Sequence, residues 1–219
     1  MKTMSAPIPP SEKKRLKVLW QYEVLDTVPE EVFDDLTELA AWICEAPIAL
    51  ISLVDEKRQS FKSKVGTSVK ETSRDISFCT HAINQTDLFI VPDATLDTRF
   101  ANSPLVTSEP KICFYAGAPL ITPDGYALGT LCIIDKVPRN LRPEQQQALR
   151  ILARHVVSQL ELRRRAKELG DVRAENTRLK HDLEKLGAEV AATRCKPARG
   201  ATSQAAAPRS QAKKKRKRA

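Results

Sequence analysis

Residues able to do chemistry gather in four places along this chain of 219 residues. The first is Cys79-Thr80-His81, a thiol and an imidazole separated by one residue. Such a pair offers covalent attachment of a prosthetic group or two metal ligands, although a metal site needs more than two. A packed thiol beside a hydrogen-bonded histidine accounts for the same spacing. The second is Asp93, Asp97, Arg99 and Phe100. Arg99 can clamp an anion while Phe100 stacks on a ring, or it can pair with Asp93 or Asp97 and fix the shape of its loop. The third is a pair of apolar runs in which Phe114, Tyr115, Ala118, Leu120, Thr130 and Cys132 alternate. One face of them must line the space between a sheet and its covering helices, as ligand site or as plain core. Arg74-Asp75 next to Phe78 invites the same two readings as the Arg99 loop, ligand contact or a structural ion pair, the ion pair being favoured. The fourth is Lys213, Lys214, Lys215, Arg216, Lys217 and Arg218, an unbroken basic run.

These residues need elements to position them. Ser11 predicts the cap of a helix reaching about Leu25, and Pro29-Glu30-Glu31 opens a second, with acids in the first turn where the dipole favours them. Val32, Phe33, Leu36, Leu39, Ala40 and Ile43 give that helix an apolar face. Pro47–Asp55 is apolar almost throughout, which marks a central strand. Arg58–Val65 alternates and reads as its hairpin partner. A short helix over Ser77–Asn84, a short strand over Leu88–Val91 and a long irregular loop over 94–110 follow. Ile112–Thr122, the turn Thr122-Pro123-Asp124-Gly125 and Tyr126–Asp135 make a second hairpin, and a long helix begins near Pro143. Strands joined by hairpins predict an α+β fold, a central antiparallel sheet flanked by helices.

Three segments carry a family resemblance: ETSRDISFCTHAI (Glu71–Ile83), VPDATLDTRFANSPLV (Val91–Val106) and FYAGAPLITPDGYALGTLCIID (Phe114–Asp135). With VLDTVPEEVFDDLTELA and PIALISLVDEKRQSFKS before them, they resemble the GAF domains of bacterial sensor proteins over about residues 12–165. The resemblance implies a PAS-like GAF fold, a role in signal transduction and terminal helices that pair two protomers. It names no cofactor, because relatives bind cyclic nucleotides, bilins, haem, small metabolites or nothing known. The candidate ligand pocket it implies takes in Phe78, Cys79, His81, Asp93, Arg99, Phe100, Phe114, Tyr115, Thr130 and Cys132.

No phosphate-binding loop, dinucleotide fingerprint, HExxH or G-x-S-x-G motif occurs, so the chain reads as a ligand-binding sensor without catalysis or a metal. Five widely spaced cysteines with no CxxC fit a reduced compartment. Cys44, Cys113 and Cys132 read as small core residues. The N-terminus has no apolar signal region, and no stretch approaches the roughly 20 apolar residues of a membrane span. A cytoplasmic location follows as the expectation.

Beyond the domain, Leu169, Val172, Asn176, Leu179, Leu183, Leu186 and Val190 are spaced alternately three and four apart. That is the a/d seam of a coiled coil, with Asn176 at an a position that selects a parallel, in-register dimer. The g residues Glu168 and Glu175 face the e residues Arg173 and Lys180 of a parallel partner, both with opposite charge. The domain-facing stripe Leu149, Leu152, Val156 and Leu160 is out of phase with this seam, which places a phase change within Arg163–Arg165. The expected division is a disordered N-terminus (1–10), a GAF domain (11–165), a coiled coil (166–193) and a disordered basic tail (194–219).

The net charge of +9 resides in that tail. Residues 196–219 hold nine of the 36 Lys+Arg and no acid, leaving 27 Lys+Arg against 27 Asp+Glu in residues 1–195. Such a run can bind nucleic acid, an acidic lipid surface or an acidic partner, or serve as a solubilising tail, and with no aromatics interleaved any DNA binding would be independent of sequence. Three readings follow: a homodimeric regulatory protein that senses a small molecule or partner, a dimeric nucleic-acid- or ribosome-associated scaffold acting through its tail, or a sensor partner whose coiled coil docks on a separate kinase or cyclase.

Overall fold

Two apolar runs dictate the centre of the fold. Every residue of β1 (Ile48–Val54) and of β6 (Ala127–Asp135) is buried, and the two strands pair antiparallel with Ile51 opposite Leu131. The structure is a computed structural model that describes residue 8 and residues 11–194, with side chains as far as residue 191. The chain divides into two units, residues 1–170 and 171–219. β2 (Arg58–Val65) forms the predicted hairpin with β1, and β5 (Phe114–Ile121) forms the second with β6. Two strands of three residues, β3 (Glu71–Ser73) and β4 (Phe89–Val91), close the edges. The resulting antiparallel sheet runs β3-β2-β1-β6-β5-β4. β2 carries a bulge at Lys62, opposite the Ile51–Ser52 step of β1, and Gly129 of β6 lies against Ser52 from the other side. Any side chain at Gly129 would collide with the Ser52 carbonyl.

Alternation along the strands divides the core into two layers. On one face Ala49, Ile51, Leu53, Phe114, Ala116 and Leu120 pack with Leu19 of α1 (Glu12–Gln21), Phe33 and Ala40 of α2 (Glu31–Cys44), and Leu149, Leu152, Val156 and Leu160 of α5 (Pro143–Arg194). On the other, Ile48, Leu50, Tyr115, Cys132 and Ile134 meet Phe78 and Cys79 of α3 (Phe78–Ala82), together with Phe100, Val106 and Ile112. α4 (Pro104–Thr107) interrupts the loop expected to be irregular over 94–110.

Several expectations change. α1 stops at Gln21 rather than near Leu25, because Glu23 and Asp26 take positive φ values of 45° and 56° that no α-helix accommodates. α2 buries a narrower face than the sequence suggests: Val32 and Leu39 lie at its exposed flank with Trp42. Neither β3 nor the 3-10 turn Arg74–Ile76 is legible in the apolar pattern, since both are short and polar. Cys113 is only half-buried, its thiol directed to the Lys111 carbonyl, whereas Cys44 and Cys132 are core residues. α5 continues unbroken from Pro143 to Arg194. Within the first unit Leu149, Leu152, Val156 and Leu160 are buried, while Ile151 and Leu162 are exposed. Counting back in heptads from Asn176 puts Leu162 at an a position and Ile151 at a d position, but also places His155, Ser158 and Arg165 on the seam, so the apolar seam does not extend back through this part of α5. Expectations for the tail, including Lys213–Arg218, lie outside the described residues, as do those for the N-terminus apart from Ile8.

A buried ion group ties α1 to the β3 end of the sheet. The Glu12 carboxylate accepts from Arg15 Nε at 2.8 Å and from Arg74 Nη1 at 2.7 Å, and Arg15 Nη2 also donates to the Val54 carbonyl at 2.6 Å. Burial alone would raise the Glu12 pKa, but hydrogen bonds from the two arginines outweigh it and bring the value down to about 2.

Candidate functional site

α3 is set by its cap: the Ser77 hydroxyl accepts from the Thr80 amide at 3.3 Å. This lays Phe78 and Cys79 on the sheet. Phe78 stacks on Phe100, ring centroids 4.1 Å apart, and on Tyr115 at 5.1 Å. His81 meets Phe100 edge-on at 4.8 Å. Arg99 lies over Phe89 and Phe100, 4.9 and 5.2 Å from their centroids. The same guanidinium makes a two-pronged pair with Asp97, Nε to Oδ1 at 2.9 Å and Nη2 to Oδ2 at 2.5 Å. That bond holds the Asp97 carboxyl below its ordinary range. Asp93 is engaged separately, accepting from the Thr95 amide at 2.9 Å and hydroxyl at 2.6 Å.

Beneath the aromatic stack lie two thiols. Cys79 Sγ is 3.9 Å from Cys132 Sγ, and the Tyr115 hydroxyl is 3.3 Å from Cys79 Sγ and 3.5 Å from Thr130 Oγ1. For Cys79, burial works upward and hydrogen bonds from Cys132, Thr130, Tyr115 and Ser52 work downward, with a net lowering. For Cys132, the bond to Cys79 and burial both push the pKa up, so one thiol of the pair holds its proton firmly. Gly117 admits this arrangement, because a Cβ there would strike the Tyr115 ring and hydroxyl. Among the described residues no group of three or more His, Cys, Asp or Glu is placed to hold a metal.

The structure thus gathers Phe78, Cys79, Phe100, Tyr115, Thr130 and Cys132 into one buried cluster, with His81 and Arg99 at its margin. Phe114 does not belong there. It neighbours Tyr115 on a strand and so points to the opposite face, among the residues packed on α1, α2 and α5.

The space on this side of the sheet lies elsewhere, toward β3. A cavity of about 370 Å³ is floored by Ile48 and Leu50 of β1, Gln59 and Phe61 of β2, Thr72 of β3 and Ile134 of β6. Thr67 and Val69 wall it, and Leu105, Glu109, Pro110 and Ile112 cover it. None of the residues singled out from the sequence lines it. Gln59, the second residue of β2 between Arg58 and Ser60, is only 5% exposed, and nothing in its sequence neighbourhood announces that burial. Its Oε1 accepts from the Ser52 hydroxyl at 3.3 Å and from the Ser77 hydroxyl.

On α5, the predicted seam residues Leu169, Val172, Leu179, Leu183, Leu186 and Val190 are each at least 50% exposed, and Asn176 is exposed with them. No helix among the described residues is long and apolar enough to cross a membrane.

Comparison with known proteins agrees with this architecture. A family model described as GAF domain matches residues 28–160. The cyclic di-GMP phosphodiesterase PA2567 of Pseudomonas aeruginosa is 43% identical over 143 residues, 65% of this chain. The chain spans only 24% of that relative's length. Among solved structures, a GAF domain region from Geobacter sulfurreducens PCA shares the fold at 20% identity and a TM-score of 0.50, covering 68% of this chain and 97% of that one. The GAF domain of an Acinetobacter phosphoenolpyruvate-protein phosphotransferase does so at 16% identity and a TM-score of 0.50, covering 74% and 99%. With more than half its length matched and its sheet, layers and helices in place, this chain belongs to the GAF domain family, a sensory and regulatory family of signalling proteins.

Proposed function

We propose that the chain is a non-catalytic regulatory GAF protein that works as a parallel homodimer and senses a small molecule. The observation that carries the reading is the seam on α5. Six large apolar side chains at a and d positions, each at least 50% exposed, form a stripe that a single chain leaves in water. A second copy covers it, with Asn176 opposite its counterpart and Glu168 and Glu175 meeting Arg173 and Lys180 across the pair. The cavity above β1–β3 supplies the sensing half, since a change in its occupancy acts on the sheet that packs against α5. Phosphodiesterase activity belongs to the Pseudomonas aeruginosa relative as a whole, of which the matched stretch is about a quarter. We assign this chain the regulatory share of such signalling.

Sedimentation equilibrium of the full chain tests the dimer. The wild-type protein should behave as two chains at micromolar concentration, and Leu179→Lys with Leu183→Lys as one. A single chain throughout would reject the reading. The basic tail gives a second test: retention on heparin that vanishes on deleting 209–219, in a protein without any small-molecule response, would favour the nucleic-acid scaffold instead.

A further inference from the structure

We propose that the cavity above β1–β3 takes an uncharged, largely apolar molecule presenting a hydrogen-bond acceptor, and that it does not take a phosphate-bearing ligand. The proposal rests on the reading of the domain as a small-molecule sensor and deepens it.

Three features carry it. The first is charge. Among the described residues lining the cavity, Glu109 is the only charged one, and its side chain is 76% exposed, which puts it at the mouth, where it pairs with Lys136 at 3.5 Å. The nearby cations of β2 are committed elsewhere. Lys62 Nζ donates to Thr27 Oγ1, the Val28 carbonyl and Glu30, and Lys64 Nζ to the carbonyls of Thr67 and Ser68. Arg58 pairs with Asp26 and Glu71. No cation is among the described lining residues to offset the desolvation of a phosphate, and Lys136 at the mouth is already paired with Glu109.

The second is hydrogen-bond polarity. With Gln59 Oε1 taken by two serine hydroxyls, the end of this buried amide left for a ligand is Nε2, which only donates. This donor selects for a carbonyl, ether or similar oxygen.

The third is size and surface. Ile48, Leu50, Phe61, Val69, Leu105 and Ile134 make the rest of the wall apolar. A volume of about 370 Å³ equals about a dozen water volumes, which suits a molecule of about 10–15 non-hydrogen atoms.

The test uses the full-length, isotopically labelled protein and three probes of similar size: coumarin (uncharged, with a carbonyl acceptor), naphthalene (apolar, no acceptor) and phenyl phosphate (anionic). Backbone amide resonances of Leu50, Gln59, Leu105 and Ile112 are followed through each titration. Coumarin should move them to saturation, naphthalene should bind about fivefold more weakly, the worth of one net hydrogen bond, and phenyl phosphate should leave them in place. Gln59→Met, similar in size without the amide donor, should weaken coumarin and spare naphthalene. Saturation of these resonances by phenyl phosphate overturns the ligand class and leaves the sensor reading standing. Equal binding of coumarin and naphthalene, unchanged in Gln59→Met, overturns the acceptor requirement. If no probe moves any of these resonances, both the ligand class and the small-molecule half of the sensor reading fall, while the dimer stays open to sedimentation.

Discussion

The two ends of one sheet face behave differently. Toward β4 and β5 the face is filled: Phe78, Phe100 and Tyr115 stack over Cys79 and Cys132, and each is at most 2% exposed. Toward β2 and β3 the same face is roofed by the 105–112 segment and encloses about 370 Å³. Strand geometry and alternation are alike at both ends. What differs is side-chain volume and the nature of the cover. The filled end is held by aromatic contact. The cavity end is held by charge, through Arg58 with Glu71 and Arg74 with Glu12 along its edge strand and turn. Whether a sheet face becomes core or site is set by what fills it.

Breaking the filled end should have the largest effect. Tyr115→Ala removes a fully buried ring and should cost about 3–5 kcal/mol in urea or thermal unfolding, as large aromatic truncations do. A loss under about 1 kcal/mol would mean that this end also yields space readily.

Acid should loosen the cavity end next. The Glu12 carboxyl is lowered from 4.5 to about 2 in the folded protein. A carboxylate with a depressed folded pKa contributes stability that is fully present above its unfolded value and is lost as pH falls through its folded one. Unfolding free energy should therefore drop by about 3 kcal/mol through this group between about pH 5 and about pH 2. Glu12→Gln should flatten that arm of the profile while lowering stability near neutrality, because Arg15 and Arg74 then lie buried without their acid. An unchanged acid profile in Glu12→Gln would contradict the ion group's role.

Volume added at each end sharpens the contrast. Cys79→Leu, in the filled cluster, should cost about 1–3 kcal/mol by overpacking. Leu50→Phe should cost less than about 1 kcal/mol, because the cavity accepts the added atoms. It should also abolish coumarin binding in the titration above. Equal penalties would erase the distinction. In the filled cluster, Tyr115→Phe loses only the hydroxyl next to Cys79 and Thr130 and should cost about 1 kcal/mol.

Much of this was legible in the residues. The apolar runs 48–54 and 127–135 declare central strands, and the turn at Thr122–Gly125 declares its hairpin. The GAF resemblance follows from ordered motifs, and a family match over 28–160 accords with it. The candidate site was only partly legible. Cys79, Phe100, Tyr115 and Cys132 do come together, but Phe114 lies on the far side of the sheet and the cavity lies beyond them all. Its floor draws on β1, β2, β3 and β6, and β3 is three residues long and polar, which leaves no periodic trace. The α1 ending was misplaced for a similar reason: left-handed turns at Glu23 and Asp26 need no glycine to announce them.

The sequence by itself determined the strands, the heptad register on α5 and the confinement of excess charge to the last residues, because periodicity and composition are local properties that a chain carries whether folded or not. Tertiary structure alone decided which stripe of α5 is buried, which partner Arg99 takes and where the cavity opens. A cavity is a small difference between the space that distant elements enclose and the side-chain volume they place there. No single stretch of residues contains that difference.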